Sequence, residues 1–348
     1  VSGVAVAITM GGPGAIFWMW VSALLGVSTK FFTCSLAVMF RGKDSTGEIQ
    51  GGPMYFITEG LGKNWKPVAI FFSIAGMIGV SPLFQANQLT QMIRDVILVP
   101  NNIGVSFQSD LITGIIISII VGIVVIGGIK RIGNVTGKVV PLMVVVYTVT
   151  VLYIIFSNSS QIVPAFQTIL HDAFTGDAVL GGSVGAIIIT GVRRAAFSNE
   201  AGIGTAPMAH GAAKTSEPIR EGLVAMLGPI IDTIIVCTMT ALAIIITNTW
   251  TESTADGITL TAQAFDTSIP IYGKYILAVC VVFFSMSTLF AFPYYGVKCL
   301  GFVAGVKYQH IYNYIFVLAI IVGAVSNLQF IIGICDISFA LMAFPTVI

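Results

Sequence analysis

The chain alternates long apolar runs with short connections that carry most of its charged residues. A helix needs about 20 apolar residues to cross the hydrocarbon core of a bilayer, so runs of this length predict membrane spans. We expect spans at residues 14–40, 66–93, 111–129, 138–156, 183–213, 222–247, 273–297 and 311–332. Shorter apolar runs at 1–10 and 336–348 flank them. The pattern predicts an all-α integral membrane protein with a single transmembrane domain over residues 1–348.

Basic residues in the connections indicate how the spans are oriented. Lysine and arginine occur in the connections 41–65 (with the flanking Lys66), 130–138, 214–221 and 298–310. The intervening connections carry acidic residues, and Arg94 is the basic residue among them. Cytoplasmic connections are enriched in lysine and arginine, so we expect the first group in the cytoplasm. Successive spans then cross the lipid bilayer in alternating directions.

This alternation predicts an inverted repeat. Segment 1–10 and span 183–213 lie five segments apart, and this odd separation gives them opposite directions. We expect a five-plus-five inverted-repeat helical bundle, with residues 1–156 as the first repeat and 183–348 as the second. Both ends of the chain lie inside apolar runs, so we expect truncation at both ends. Between the repeats, residues 161–174 place apolar side chains on one face and predict an external amphipathic helix.

Span 183–213 is interrupted at its middle by charged and polar residues and by glycines. As one helix it would measure about 46 Å, longer than the hydrocarbon core. Backbone groups freed from helical hydrogen bonds cannot face lipid, so we expect an unwound stretch near Ser198 to Gly204 that lines a polar cavity. Such an interruption is typical of secondary transporters. The alternative is a glycine-rich kink whose polar groups satisfy one another in a packed core.

Polar residues near this interruption and on two other spans are candidate binding residues. The freed backbone and the side chains of Ser198 and Asn199 can ligate a small zwitterion. Amide side chains on span 66–93 offer donors and acceptors to the same ligand, or contacts between helices. Hydroxyl groups on span 273–297 suit a monovalent cation, or bond back to their own helix. The candidates are Gln85, Asn87, Phe197, Ser198, Asn199, Gly202, Ser285, Ser287 and Thr288.

Arg193 and Arg194 lie at a depth where an unpaired cation is costly. Their expected partners are the intramembrane carboxylates Glu200, Asp232 and Asp336. A functional gate and a structural ion pair would look the same in the sequence, so both interpretations stand.

The composition excludes several classes of protein. Hydrophobic residues make up 56% of the chain and charged residues 9%, with a net charge of +1. No basic stripe is present, so no nucleic-acid partner is expected. The five cysteines form no CxxC pair, and the three histidines match no metal motif. No hydrolase, P-loop or Cys-His motif occurs, so we expect neither an enzyme nor a cofactor.

Several long motifs resemble the alanine or glycine:cation symporter family. They are GVAVAITMGGPGAIFWMW (3–20), GGPMYFITEGLG (51–62), GGIKRIGNV (127–135), GVRRAAFSNEAGIGTAPMAHGAAKTSEPIREGL (191–223) and IIDTIIVCTMTAL (230–242). The resemblance covers essentially the whole chain, and FSNEAGIGTAP is its most specific part. It implies a leucine-transporter-like fold with discontinuous first and sixth core helices. It also implies sodium-coupled, sometimes proton-coupled, uptake of alanine, glycine or a related amino acid across a prokaryotic plasma membrane.

The resemblance also assigns roles to individual residues. It places Phe197, Ser198, Asn199 and Gly202 on the sixth core helix at the substrate, with Gln85 from the third. Thr288 and Phe292 would line the pocket from the eighth core helix, where Ser287 and Thr288 would hold the coupling sodium.

The sequence also departs from the family pattern. Phe292 stands where the family usually has tryptophan, which would enlarge the pocket, and Thr33, Ala195 and Val297 replace a frequent Glu, Gly and Glu. The Gly-Thr-Gly-Asn stretch expected before Val1 is absent. We expect a symporter working by alternating access around a midplane site. An amino-acid exchanger and a proton-coupled transporter are the nearer alternatives, and an ion channel or a membrane enzyme would be a different class.

Overall fold

The computed structural model describes residues 1–126, 129–175, 184–252 and 255–347. The ends of predicted spans 111–129, 183–213 and 336–348 fall partly outside the described residues. The helices are α1 (Ser2–Gly11), α2 (Gly14–Met39), α3 (Pro53–Gly60), α4 (Lys66–Gly79), α5 (Leu83–Ile93), α6 (Phe107–Ile126), α7 (Ile129–Ser157), α8 (Ile162–Thr175), α9 (Val184–Asn199), α10 (Thr205–His210), α11 (Pro218–Ile246), α12 (Thr249–Glu252), α13 (Gly257–Ser268), α14 (Gly273–Ala304), α15 (Ile311–Val325) and α16 (Leu328–Val347).

The strands in the described part of the chain form one short hairpin. β1 (Gly42–Lys43) pairs antiparallel with β2 (Ile49–Gln50), Gly42 opposite Gln50. Asp44 closes the turn, because its Oδ1 accepts hydrogen bonds from the amides of Thr46 and Glu48. The architecture is therefore almost entirely helical.

Within the described residues, seven helical stretches are long and apolar enough to cross a membrane. They are Gly14–Met39, Lys63–Asn101, Phe107–Ile126, Val140–Ser157, Pro218–Ile246, Gly273–Ala304 and Leu328–Val347. Helix α6 shows the outward face of this bundle, because Ile112, Ile116 and Ile119 are all more than half exposed. Exposed aliphatic side chains in a continuous row suit lipid rather than water. The prediction of an all-α integral membrane protein is confirmed.

The interruption in span 183–213 is also confirmed. Helix α9 ends at Asn199, and the chain resumes helical geometry only at Thr205. In between, the backbone has positive φ at Glu200 (57°), Gly202 (82°) and Gly204 (95°). Glycine adopts this geometry without the steric penalty that a Cβ brings. The two glycines therefore turn the chain between the two helical pieces.

The remaining boundaries correct several expectations. Predicted span 66–93 falls within the membrane-length stretch Lys63–Asn101, which the sequence did not predict to be broken. Helices α4 and α5 are separate within it, because Pro82 lacks an amide hydrogen and disfavours helical geometry at Ser81. The expected connection at 333–335 lies inside α16, and the break falls instead at Ser326 and Asn327. Asn327 Oδ1 accepts a hydrogen bond from the Gln329 amide at 2.8 Å and so starts α16. The chain therefore forms two helices here as expected, but the boundary between segments 311–332 and 336–348 was placed too late in the sequence.

Shorter helices lie between the main ones in the described part of the chain. Helices α3 and α13 occupy stretches where only connections were expected. Helix α8 covers the range of the expected amphipathic helix and docks on α2, since the Gly14 amide donates to Asp172 Oδ2 at 2.7 Å. Its location outside the bilayer, like the inverted repeat, stays a prediction.

Candidate functional site

A cavity of about 270 Å3 lies beside the α9–α10 break. Helices α1, α5, α9, α11 and α14 all contribute to its wall. Its volume is below the roughly 300–1,000 Å3 of pockets for drug-sized ligands, so it fits a small molecule. The predicted site residues among its lining are Gln85, Phe197, Ser198, Glu200, Asp232, Ser285, Thr288 and Phe292. The structure therefore brings together about half of the residues that the sequence singled out.

Two carboxylates face this cavity. Asp232 Oδ2 accepts hydrogen bonds from Ser198 Oγ at 2.5 Å and from Thr233 Oγ1 at 3.2 Å. Glu200 Oε2 accepts from Thr205 Oγ1 at 2.6 Å. In the described part of the chain, neither carboxylate forms an ion pair with a lysine or arginine. The cavity lining given by the described residues therefore carries two acidic side chains and no lysine or arginine.

Helix α5 supplies an amide group with an open hydrogen-bonding position. Gln85 lines the cavity, and its Oε1 is buried with no hydrogen-bond partner among the described residues. The neighbouring Gln88 is engaged, because its Oε1 accepts from the Ile258 amide at 2.9 Å. A buried acceptor without a partner is costly. Of the two α5 glutamines that line the cavity, Gln85 is therefore the one whose side-chain oxygen can accept a hydrogen bond from a ligand.

Aromatic side chains form the apolar part of the site. The rings of Phe84 and Phe197 meet edge to face at 4.7 Å, and Phe197 also contacts Phe339 at 5.4 Å. Phe292 adds a third ring to the cavity wall from α14. These rings limit the space available to a bound side chain.

Some candidate residues lie outside the cavity lining. Asn87 donates from Nδ2 to the Ser326 carbonyl at 2.8 Å and so fixes the α15–α16 break. Asn199 donates to Thr233 Oγ1 at 3.1 Å and accepts from the Ala201 amide at 3.0 Å. Gly202 faces Thr29 rather than the cavity. These side chains and the glycine shape the break and its neighbours.

The hydroxyl groups on α14 bond back to their own helix. Ser287 Oγ and Thr288 Oγ1 both donate to the Phe284 carbonyl, at 2.9 and 3.0 Å. Thr288 lines the cavity together with Ser285, whereas Ser287 is not among the lining residues. A donating hydroxyl keeps its lone pairs, so Thr288 can still ligate a cation.

The arginines of α9 pair with one carboxylate on α16. The buried Arg194 donates from Nη2 to Asp336 Oδ1, and Arg193 Nη1 lies 3.6 Å from Asp336 Oδ2. Of the three expected partners, the structure therefore selects Asp336 and leaves Glu200 and Asp232 to the cavity. The Arg194 guanidinium also lies 5.6 Å from the ring centroid of Phe197.

Sequence reasoning missed the contribution of α13. Ile258 lines the cavity, and its amide anchors Gln88. The connection was too short and too polar to suggest a span. A helical spacing of buried positions at Ile258, Thr261, Ala262 and Phe265 was the available signal.

Membrane-length helices around a small charged cavity at an interrupted helix define a multi-pass membrane transporter. The chain belongs to the sodium:alanine symporter family, whose model matches residues 1–348. This is a family of transporters, not of enzymes. Its bacterial and archaeal relatives place the chain in a prokaryotic plasma membrane.

Similar proteins cover nearly the whole chain. The sodium/alanine symporter AgcS of Methanococcus maripaludis is 41% identical over 358 residues, which span 100% of this chain and 76% of the relative. An uncharacterized transporter of Haemophilus influenzae is 40% identical over 99% of this chain and 75% of its own length. A Bacillus subtilis protein, the putative sodium/proton-dependent alanine carrier protein YrbD, is 34% identical over 87% of this chain and 64% of its own length.

Proposed function

We propose that this protein couples uptake of a small neutral amino acid, alanine or glycine, to sodium by alternating access around the cavity. The observation that carries the proposal is the charge of the cavity wall. Glu200 and Asp232 face it without a lysine or arginine partner in the described part of the chain, and Gln85 Oε1 is unpaired. Relatives named for sodium and alanine support the same ligands.

The cavity suits both charged ends of an amino acid. Its α-ammonium group can pair with the carboxylates of Asp232 and Glu200, and its carboxylate can accept a hydrogen bond from the side-chain amide of Gln85, which lines the same cavity. Gln85 and Ser198 add polar contacts, while Phe197 and Phe292 restrict the side chain. The volume of about 270 Å3 suits an amino acid rather than a larger ligand, and the rings of Phe197 and Phe292 are what would limit its side chain.

The proposed sodium ligands are Ser287 and Thr288. Each hydroxyl gives its hydrogen to the Phe284 carbonyl, which leaves the oxygen lone pairs for a cation. One sodium ion crossing 100 mV releases about 2.3 kcal/mol, which supports roughly fifty-fold accumulation of substrate. A single coupling ion is therefore sufficient to drive uptake.

Uptake by proteoliposomes containing the full-length protein tests the proposal. We expect alanine and glycine to accumulate under an inward sodium gradient and not under a matched potassium gradient. Thr288→Val is expected to raise the sodium concentration required for half-maximal uptake. Thr150→Val is the matched control, because Thr150 on α7 donates to its own helix in the same way and lies away from the cavity.

The same vesicles separate the alternatives. Accumulation driven by a pH gradient alone would indicate proton coupling, and uptake that requires internal amino acid would indicate an exchanger. Ohmic current without substrate would indicate a channel. Accumulation indifferent to both sodium and proton gradients would reject ion coupling.

A further inference from the structure

A second cavity of about 180 Å3 lies between the β1–β2 hairpin, α3, α14 and the chain before α15. Its wall carries one cationic and one anionic side chain, Lys298 and Asp44, together with Tyr55, Tyr294 and Gln309. The hairpin and the chain before α15 belong to connections that are expected in the cytoplasm. The cavity is therefore distinct from the site at the α9–α10 break.

Lys298 supplies an uncompensated positive charge. Its Nζ lies 4.7 Å from the ring centroid of Tyr294 and 3.4 Å from the Met208 carbonyl oxygen. Among the described residues no carboxylate lies within ion-pair distance of it. A partly buried ammonium group without an anion is unfavourable, and an anionic ligand would relieve this cost. Along the axis of α14, Lys298 lies about 9 Å beyond Phe292, which lines the cavity at the α9–α10 break.

Asp44 supplies a fixed negative charge on the other side of the cavity. Its Oδ1 accepts from the amide and hydroxyl of Thr46 and from the Glu48 amide. Within the described residues its Oδ2 accepts from Gln50 Nε2 alone, at 2.9 Å. Desolvation raises the pKa of Asp44, but these hydrogen bonds together outweigh it and leave the pKa below its ordinary value. Asp44 is therefore ionised and held in place, with Oδ2 able to accept one more hydrogen bond.

We propose that this cavity is a second binding site for a small zwitterionic amino acid, open to the cytoplasm. The ligand carboxylate binds Lys298 Nζ, and its α-ammonium group binds Asp44 Oδ2. The volume of about 180 Å3 limits the ligand to a small molecule, and glycine and alanine both fit. That this ligand is the transported amino acid rests on the function proposed above. A bound zwitterion would link the hairpin to α14, so cytoplasmic amino acid would act on the transporter.

Binding of radiolabelled alanine to the purified full-length protein, measured by equilibrium dialysis in sodium, tests the proposal. We expect the native protein to bind two equivalents, and Asp44→Asn and Lys298→Met to bind one each. The matched controls are Glu48→Gln and Lys307→Met, which remove a charge from the same two connections outside the cavity lining. Both controls are expected to keep two equivalents.

Ser198→Trp fills the cavity at the α9–α10 break and separates the two proposals. If only the second site is wrong, the native protein binds one equivalent, which Ser198→Trp abolishes and Asp44→Asn does not. If only the substrate site at the break is wrong, Asp44→Asn abolishes the single equivalent and Ser198→Trp does not. Two equivalents retained in monodisperse Asp44→Asn and Lys298→Met would overturn the second site.

Discussion

Replacing Asp336 with asparagine should destabilise the protein strongly, because it leaves Arg194 as an unpaired cation in the helical bundle. The Arg194 side chain is only 2% exposed, and Asp336 is 14% exposed. Asparagine keeps the volume of aspartate, so the change removes charge without opening a cavity. Removing one partner of a buried ion pair costs about 3–5 kcal/mol. Arg193→Gln should cost at most about 1 kcal/mol, because the Arg193 side chain is 59% exposed.

Thermal unfolding in detergent can be followed with a thiol-reactive fluorogenic dye. Cys34, Cys237, Cys280, Cys299 and Cys335 are all free and buried, so they react only when the bundle opens. We expect Asp336→Asn to unfold at a clearly lower temperature than native protein, and Arg193→Gln to unfold close to it.

A double variant checks the physical reason for this difference. Arg194→Met with Asp336→Met removes both charges, and replacing a whole buried pair with apolar groups is often close to neutral. This variant should therefore be more stable than Asp336→Asn alone. Equal unfolding temperatures for Asp336→Asn and Arg193→Gln would refute the reasoning. A double variant that unfolds at a lower temperature than Asp336→Asn would also refute it.

Gly204→Ala should reduce the monodisperse yield far more than Gly202→Ala. Both positions have positive φ, but only at Gly204 would a Cβ lie 2.4 Å from a ring atom of an α4 phenylalanine; equal yields would contradict this. Phe292→Trp should narrow the proposed substrate cavity and shift uptake toward glycine over larger amino acids by about tenfold or more. An unchanged order of uptake among these amino acids would show that Phe292 does not contact the substrate. The lowered pKa of Asp44 means that its hydrogen bonds stabilise the hairpin above the ordinary carboxyl value of 3.8 and are lost as the pH falls through the folded pKa. The protection factor of the Thr46 amide, which is the intrinsic exchange rate divided by the measured rate at the same pH, should fall only in that acidic range, and a loss of protection near neutral pH would contradict the assignment.

The sequence was informative where a physical rule is local. A membrane-length stretch with two glycines and several polar residues cannot remain one helix in lipid, and α9 does end at Asn199. The span boundaries near the end of the chain failed for a related reason. The break at Ser326 and Asn327 carries only a short polar stretch between two apolar runs, so it was included in the expected span 311–332, and the charged Asp336 drew the expected boundary to the wrong place.

Which residues form ion pairs and hydrogen bonds with one another depends on contacts between distant segments, and the sequence does not reveal these contacts. Glu200, Asp232 and Asp336 were equivalent candidates for the arginines until the packing of α9 against α16 selected one of them. Likewise, Gln85 and Asn87 lie two residues apart on α5, yet one faces the cavity and the other bonds to Ser326. Their different roles follow from which neighbour each face of α5 meets.

The segregation of charge around α9 bears directly on the proposed coupling. Phe197 lies between the two charged groups: its ring lines the cavity, and the Arg194 guanidinium stands 5.6 Å from it, outside the lining. The arginines are therefore paired with Asp336 and not with the carboxylates of the cavity. A zwitterionic amino acid has no net charge, so it cannot offset Glu200 and Asp232 when the cavity closes and excludes water. An accompanying cation can, because unscreened charges interact more strongly in a low-dielectric site. On the proposed mechanism, the cation is required for closure, and this makes substrate movement dependent on the ion gradient.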